Sequence, residues 1–234
     1  MVNYNSVNNR SPNIKLNRYL LEGIKFMDNL KTEEKILLVA LELFAQKGYS
    51  GVSVRDISKV IGISQSALYK HYKNKEDILN KIIEEVDKRL KETYLKNAVP
   101  NIKSQDLSGD YKRLAVKKLS EISWNIFQLY VKDNVVSSYR KLLCREQYNN
   151  DYAKEIYDKT FISGPIENES HIFDKFVKDG FFRKENPQII AMHFYAPIFL
   201  MFQMYDIDNS REDELKLMIK EHVRVFSDNY RLEE

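Results

Sequence analysis

Apolar residues in this chain recur at helical intervals, inside segments whose ends are chemically marked. In TEEKILLVALELFAQKG, residues 32–48, Ile36, Ala40, Leu43 and Phe44 fall at i, i+4, i+7 and i+8, one face of a helix. Thr32 stands as its N-cap with two acidic residues in the first turn, and Gly48 closes it. A second segment, SVRDISKV, opens with Ser53 as cap and Asp56 three residues on, with Ile57 and Val60 facing inward. Gly62 then permits a left-handed turn, and Ser64 caps a third helix through Tyr72. A fourth begins in KNKEDILNKIIEEVDKRLKETYLK, where Ile78, Ile82, Val86 and Leu90 recur every four residues.

The same reading extends along the chain. After a polar break at 97–110, helices are predicted over 111–132, 134–147, 151–162, 166–179, 187–206 and 211–229. Asn186-Pro187 supplies a cap and a first-turn proline for the penultimate one. No stretch alternates as a strand does. Only 7 glycines and 5 prolines among 234 residues leave few of the turns that a many-stranded sheet needs. The predicted class is therefore all-α, with about nine helices.

Several functions are disfavoured early. A formal net charge of +3 rules out a uniformly basic coat, so any nucleic-acid footprint must be local. Cys144 is the one cysteine, too few for an intramolecular disulfide or a Cys-rich zinc site, and reads as a small buried hydrophobe in a reducing cytoplasm. His171, His193 and His222 show no metal-binding spacing, and no phosphate loop, nucleophile motif or cofactor fingerprint occurs. The most apolar stretch, residues 189–205, contains His193, Pro197 and Gln203. It falls short of the roughly 20 apolar residues a bilayer span requires. Residues 1–30, with seven asparagines and no sustained period, read as disorder or a short arm. Glu22-Gly23 can be encoded by a purine run resembling a ribosome-binding site, with Met27 just beyond. Residues 1–26 are thus readable as upstream sequence ahead of a start at Met27.

Two short helices joined by a glycine-containing turn, the second rich in Ser, Gln, Tyr, Lys and His, form a helix-turn-helix pattern. Ser64, Gln65, Ser66 and Ala67 are small or flexible enough for a major groove, and Gln65 is suited to adenine N6 and N7. Tyr69, Lys70, His71, Lys73 and Lys75 supply donors for phosphate or base, joined by Ser53 and Arg55 from the preceding helix. Residues 31–82 hold nine Lys/Arg against six Asp/Glu, an excess of three within about fifty residues.

These residues resemble the DNA-binding domain of the TetR/AcrR family of bacterial regulators. The pattern is Phe-x-x-x-Gly-Tyr ending the first helix (Phe44 to Tyr49), then Ser-Val-Arg-Asp-Ile (Ser53 to Ile57). Gly-Ile-Ser follows before the third helix, and Leu-Tyr-x-His-Tyr-x-x-Lys leads into the fourth. The resemblance covers Ile36 to Ile83 in detail and the rest by helical layout. It implies an N-terminal extension (1–30), a helix-turn-helix domain (31–76) and a ligand-binding and dimerisation domain (77–234). It implies Ser53 and Arg55 at DNA backbone or base, Gln65, Ser66 and Ala67 reading bases, Tyr69 and His71 close by, and Lys75 gripping phosphate. It further implies a homodimer through 187–206 and 211–229, a palindromic double-stranded operator and release of a repressor by a small molecule held in helices four to eight. Trp124, Phe127, Tyr130, Phe173, Phe176, His193, Phe194 and Tyr195 are the pocket candidates. Their richness suggests an apolar or flat aromatic effector, although core packing explains it equally. Ser58 stands where the family usually has Ala and, if buried, needs a hydrogen-bond partner. Two other classes stay open: a helical enzyme or carrier with a vestigial helix-turn-helix, and a DNA-binding protein without effector.

Overall fold

The computed structural model describes residues 30–96, 109–149 and 151–232. The N-terminal extension, the start at Met27 and most of the polar break lie outside these described residues. The helices are α1 (Thr32–Lys47), α2 (Val54–Ile61), α3 (Gln65–Tyr69), α4 (Lys75–Lys96), α5 (Gly109–Lys132), α6 (Asn134–Glu146), α7 (Asp151–Tyr157), α8 (Ser163–Lys178), α9 (Pro187–Ile207) and α10 (Glu212–Tyr230). Among the described residues the only β-type pairing is one bridge, Phe182 to Arg231, which ties the α8–α9 loop to the end of α10. The fold is all-α.

Local chemistry explains most boundaries. Ser53 accepts from the Asp56 amide while Asp56 accepts from Ser53, a reciprocal cap for α2. Gly62 ends α2 at φ 79°, ψ 28°, the left-handed region where a side chain would be strained. Asn186 accepts from the Gln188 amide at 2.9 Å, with Pro187 first in α9. One cap differs from expectation. Thr32 is the first residue of α1 rather than its cap, and the Glu34 carboxylate accepts from the Lys31 amide at 3.0 Å instead. The third helix also stops earlier than expected, at Tyr69, because the Lys70 and His71 amides turn back to the Ala67 and Leu68 carbonyls.

The segments expected at 151–162 and 166–179 run on into each other through a π turn at Asp158–Ile162. Pro165 has no amide to offer the Phe161 carbonyl, so the regular ladder fails there. The Tyr195 hydroxyl of α9 donates to that carbonyl instead, at 2.8 Å. Gly164 is required at this point. A Cβ built on it would lie 2.0 Å from the Lys159 carbonyl oxygen.

The core is continuous from the helix-turn-helix module into the rest of the chain. Ile36, Ala40, Phe44, Ile57, Leu68, Ile78, Ile82 and Val86 are buried together, and α1 also packs on α6. Arg89 of α4 reaches Asp133, whose other oxygen caps α6 through the Val135 and Val136 amides. Arg140 of α6 is 1% exposed. It pairs both terminal nitrogens with Asp206 at the end of α9, at 2.8 and 3.0 Å, donates to the Tyr130 carbonyl, and lies over the Phe202 ring. No helix among the described residues is long and apolar enough to cross a membrane.

Candidate nucleic-acid interface

Helix α3 is only five residues long, and its placement rests on Leu68 and the following Tyr72, both buried. Leu68 anchors the inner face of α3. The Tyr72 hydroxyl donates to the Glu33 carbonyl of α1, and burial pushes its phenol well above the ordinary range. With those two side chains turned in, Ser64, Gln65, Ser66, Tyr69, Lys70, His71 and Lys73 are all exposed, and Ala67 is half-buried. The Ser64 hydroxyl accepts from the Ala67 amide at 3.1 Å and lies 2.9 Å from that of Ser66, so the entrance to α3 is organised before any partner arrives. Arg55 is exposed on α2. Ser53 is exposed too, but its hydroxyl and amide both donate to Asp56, which holds that carboxyl below the usual carboxylate range. Ser58 is buried and donates to the Arg55 carbonyl at 3.0 Å, which meets the requirement set by its burial.

Lys75 departs from the rest. Its ammonium donates to the Tyr49 and Val52 carbonyls at 2.8 and 2.9 Å and sits 4.1 Å from the centre of the Tyr49 ring. Desolvation lowers its pKa. The expected phosphate grip is instead turned inward, where it clips the α1–α2 loop to the start of α4. Spacing alone could not show this, because the carbonyls it meets lie 26 and 23 residues earlier.

The aromatic pocket candidates do not converge. Trp124, Phe127 and Tyr130 of α5 pack into one cluster, with Phe127 and Tyr130 against Phe202 and Tyr130 against Phe161. Phe173 and Phe194 meet Phe226, with Phe176 and Phe182 adjoining, in a second cluster between α8, α9 and α10. Tyr195 is the carbonyl donor already described. His193 lies on the exposed side of α9, hydrogen-bonded to the Tyr230 hydroxyl. Cys144 is half-buried rather than buried.

Two features escaped the sequence reading. Glu169 shares the inward stripe of α8 with Ile166 and Phe173, and desolvation pushes its carboxyl up to about 7. Its place on that stripe was legible from the spacing, but a lone acid among 34 gives no reason to single it out. The other is a cavity of about 260 Å³ between the α1–α2 loop, α4, α6 and α7.

Comparison with known proteins places this geometry. Residues 36–82 match the family model described as bacterial regulatory proteins, tetR family. IcaR, the biofilm operon negative transcriptional regulator of Staphylococcus epidermidis, is 30% identical over 160 residues, 64% of this chain and 83% of its own length. The chain belongs to the TetR family. Among further family members, AcrR of Shigella flexneri is 27% identical over 133 residues, 51% of this chain and 60% of that one. The triclosan complex of SmeT, repressor of the Stenotrophomonas maltophilia efflux pump SmeDEF, shares the fold at TM-score 0.62. It is 17% identical, over 86% of this chain and 92% of SmeT. The protein is accordingly a DNA-binding transcriptional regulator of TetR type, and its exposed α3 face belongs to the helix-turn-helix.

Proposed function

We propose that the protein is a repressor that binds a palindromic operator as a homodimer and is released by a small molecule. The observation that carries the DNA half is the exposed set Gln65, Ser66, Tyr69, Lys70 and His71 on a helix fixed from behind by Leu68 and Tyr72. Gln65 and its small neighbours read base edges. Tyr69, Lys70, His71, Lys73 and Arg55 position the module on phosphate. The reading as a repressor follows IcaR and SmeT, and the reading as ligand-responsive follows SmeT with triclosan.

The dimer reading has its own support. Ile189, Met192, Leu200 and Ile207 stand exposed along α9, and Leu217, Met218 and Val225 stand exposed on α10. Apolar side chains gathered along two adjacent helices mark an interaction surface better than scattered ones do. A two-fold dimer through them would set two α3 helices against half-sites about 34 Å apart. A ligand that shifts α4 then breaks simultaneous docking. On this reading the chain acts in regulation rather than as an enzyme or carrier, and meets its DNA in the cytoplasm.

Fluorescence anisotropy with DNA from upstream of its own gene tests the reading. Specific binding should weaken steeply with salt, and Gln65→Ala should alter preference at one or two base pairs, costing about 1–3 kcal/mol there. Unchanged affinity and preference in that variant would remove Gln65 from its reader role.

A further inference from the structure

We propose that the cavity between the helix-turn-helix module and the body is an effector site for a small aromatic amine, read directly by the DNA-binding loop. This rests on the ligand-responsive reading above and adds the place and the chemistry. The cavity measures about 260 Å³. An apolar cavity of about 150 Å³ accommodates benzene, so this one suits a one- or two-ring molecule. Its floor is apolar, with Leu79 and Ile83 from α4, Leu142 and Leu143 from α6, and Ala153 and Ile156 from α7.

The polar groups choose the charge. Glu76 and Glu146 line the cavity, and no lysine or arginine does. Neither carboxylate is hydrogen-bonded or ion-paired to any of the described residues. Two neighbouring cations are directed elsewhere: the Lys75 ammonium to the Tyr49 and Val52 carbonyls, and Arg145, beside Glu146, to the Gln46 carbonyl. Tyr139 adds a hydroxyl-bearing ring to the lining. It is 1% exposed, lines the cavity, and its hydroxyl is hydrogen-bonded to none of the described residues. No buried polar side-chain atom of the described residues lacks a partner, so that hydroxyl keeps a small accessible area. A ligand's polar group can take the place of water at that hydroxyl. An aromatic amine offers a flat body to the leucines and isoleucines, N–H donors to the carboxylates, and a ring edge to Tyr49 and Tyr152.

The position explains how occupancy would reach DNA. Tyr49 belongs to the α1–α2 loop, and the carbonyls of that loop hold Lys75 at the head of α4. A molecule filling the space between Tyr49, α4 and α7 pushes on the module itself, with no relay through the body. Occupancy therefore lowers operator affinity.

Three indoles of different charge test this on the full-length protein: tryptamine, indole and indole-3-acetate, by calorimetry and by anisotropy with the upstream DNA. Tryptamine is expected to bind saturably and to weaken DNA binding about tenfold, within the usual range for coupled sites. Indole-3-acetate is expected to do neither. Glu76→Gln with Glu146→Gln should weaken tryptamine at least about tenfold while leaving indole unchanged, and Ala153→Leu should abolish both by filling the space. The charge variant decides the matter if the filled one does not fold. The proposal is overturned if none of the three binds up to about 10 mM, if indole-3-acetate matches tryptamine, or if tryptamine is indifferent to both variants. Absence of specific DNA binding would instead overturn the regulatory reading, since calorimetry reports the amine without DNA.

Discussion

Replacing Lys75 with methionine separates two roles for one ammonium. Methionine keeps the apolar stem, so only the charged head is lost. In the folded protein that head makes two hydrogen bonds, at 2.8 and 2.9 Å, and lies 4.1 Å from the centre of the Tyr49 ring. Hydrogen bonds from a charged group contribute about 1.5–3 kcal/mol each. Here both come from one half-buried ammonium, whose desolvation offsets part of the gain, so about 2 kcal/mol is the reasonable sum. The ring contact adds about 0.5 kcal/mol at a partly solvated site. Lys75→Met should therefore lose about 2–3 kcal/mol in urea unfolding followed by circular dichroism, at fixed protein concentration because a dimer's stability depends on it. The midpoint should fall with the slope unchanged. DNA titrations from low to high salt supply the contrast. A phosphate grip would lower the slope of log affinity against log salt by about 1 and leave unfolding untouched. A stability loss below about 0.5 kcal/mol together with that unit drop in slope would refute the clip between loop and α4.

Further outcomes follow from the body of the fold. Desolvation raises the Glu169 carboxyl to about 7 in the folded protein, against about 4.5 unfolded. The folded chain thus holds a proton that the unfolded chain releases, and stability falls as pH rises through that window, by up to about 3 kcal/mol. Glu169→Gln should match the parent at pH 4 and exceed it by about 2–3 kcal/mol at pH 8; parallel curves in urea would sink the assignment. In the Arg140–Asp206 pair the arginine is the buried member, at 1% side-chain exposure against 20%. Asp206→Asn, which strands a buried charge, should therefore cost about 3 kcal/mol, more than Arg140→Met, which leaves a carboxylate that water reaches; thermal melts giving the reverse order would contradict it. Gly164→Ala forces a methyl against the Lys159 carbonyl and should cost about 2 kcal/mol, read by the same melts, with no loss expected from an alanine at the exposed Lys154 of α7.

The chain's own order of residues determined whatever depends on neighbours a few positions apart. Caps at Ser53, Ser64 and Asn186 and the left-handed turn at Gly62 are local bargains between a side chain and the next turn of backbone. So is the apolar stripe of each helix, because a period of 3.6 residues is a property of the segment alone. The exposed α3 face was legible in part for the same reason: once Leu68 turns inward, Ser66 and Tyr69, two residues before it and one after, must face away. What the tertiary structure decided are pairings across long separations. Lys75 met carbonyls rather than solvent, Arg140 found Asp206 66 residues away, and the aromatic candidates divided between two clusters. The rotation of each helix about its axis chooses among partners that the helical period leaves equivalent, and that rotation is set by packing against other helices. The cavity beside Tyr49 belongs to the same class, since four separate elements must come together before it exists.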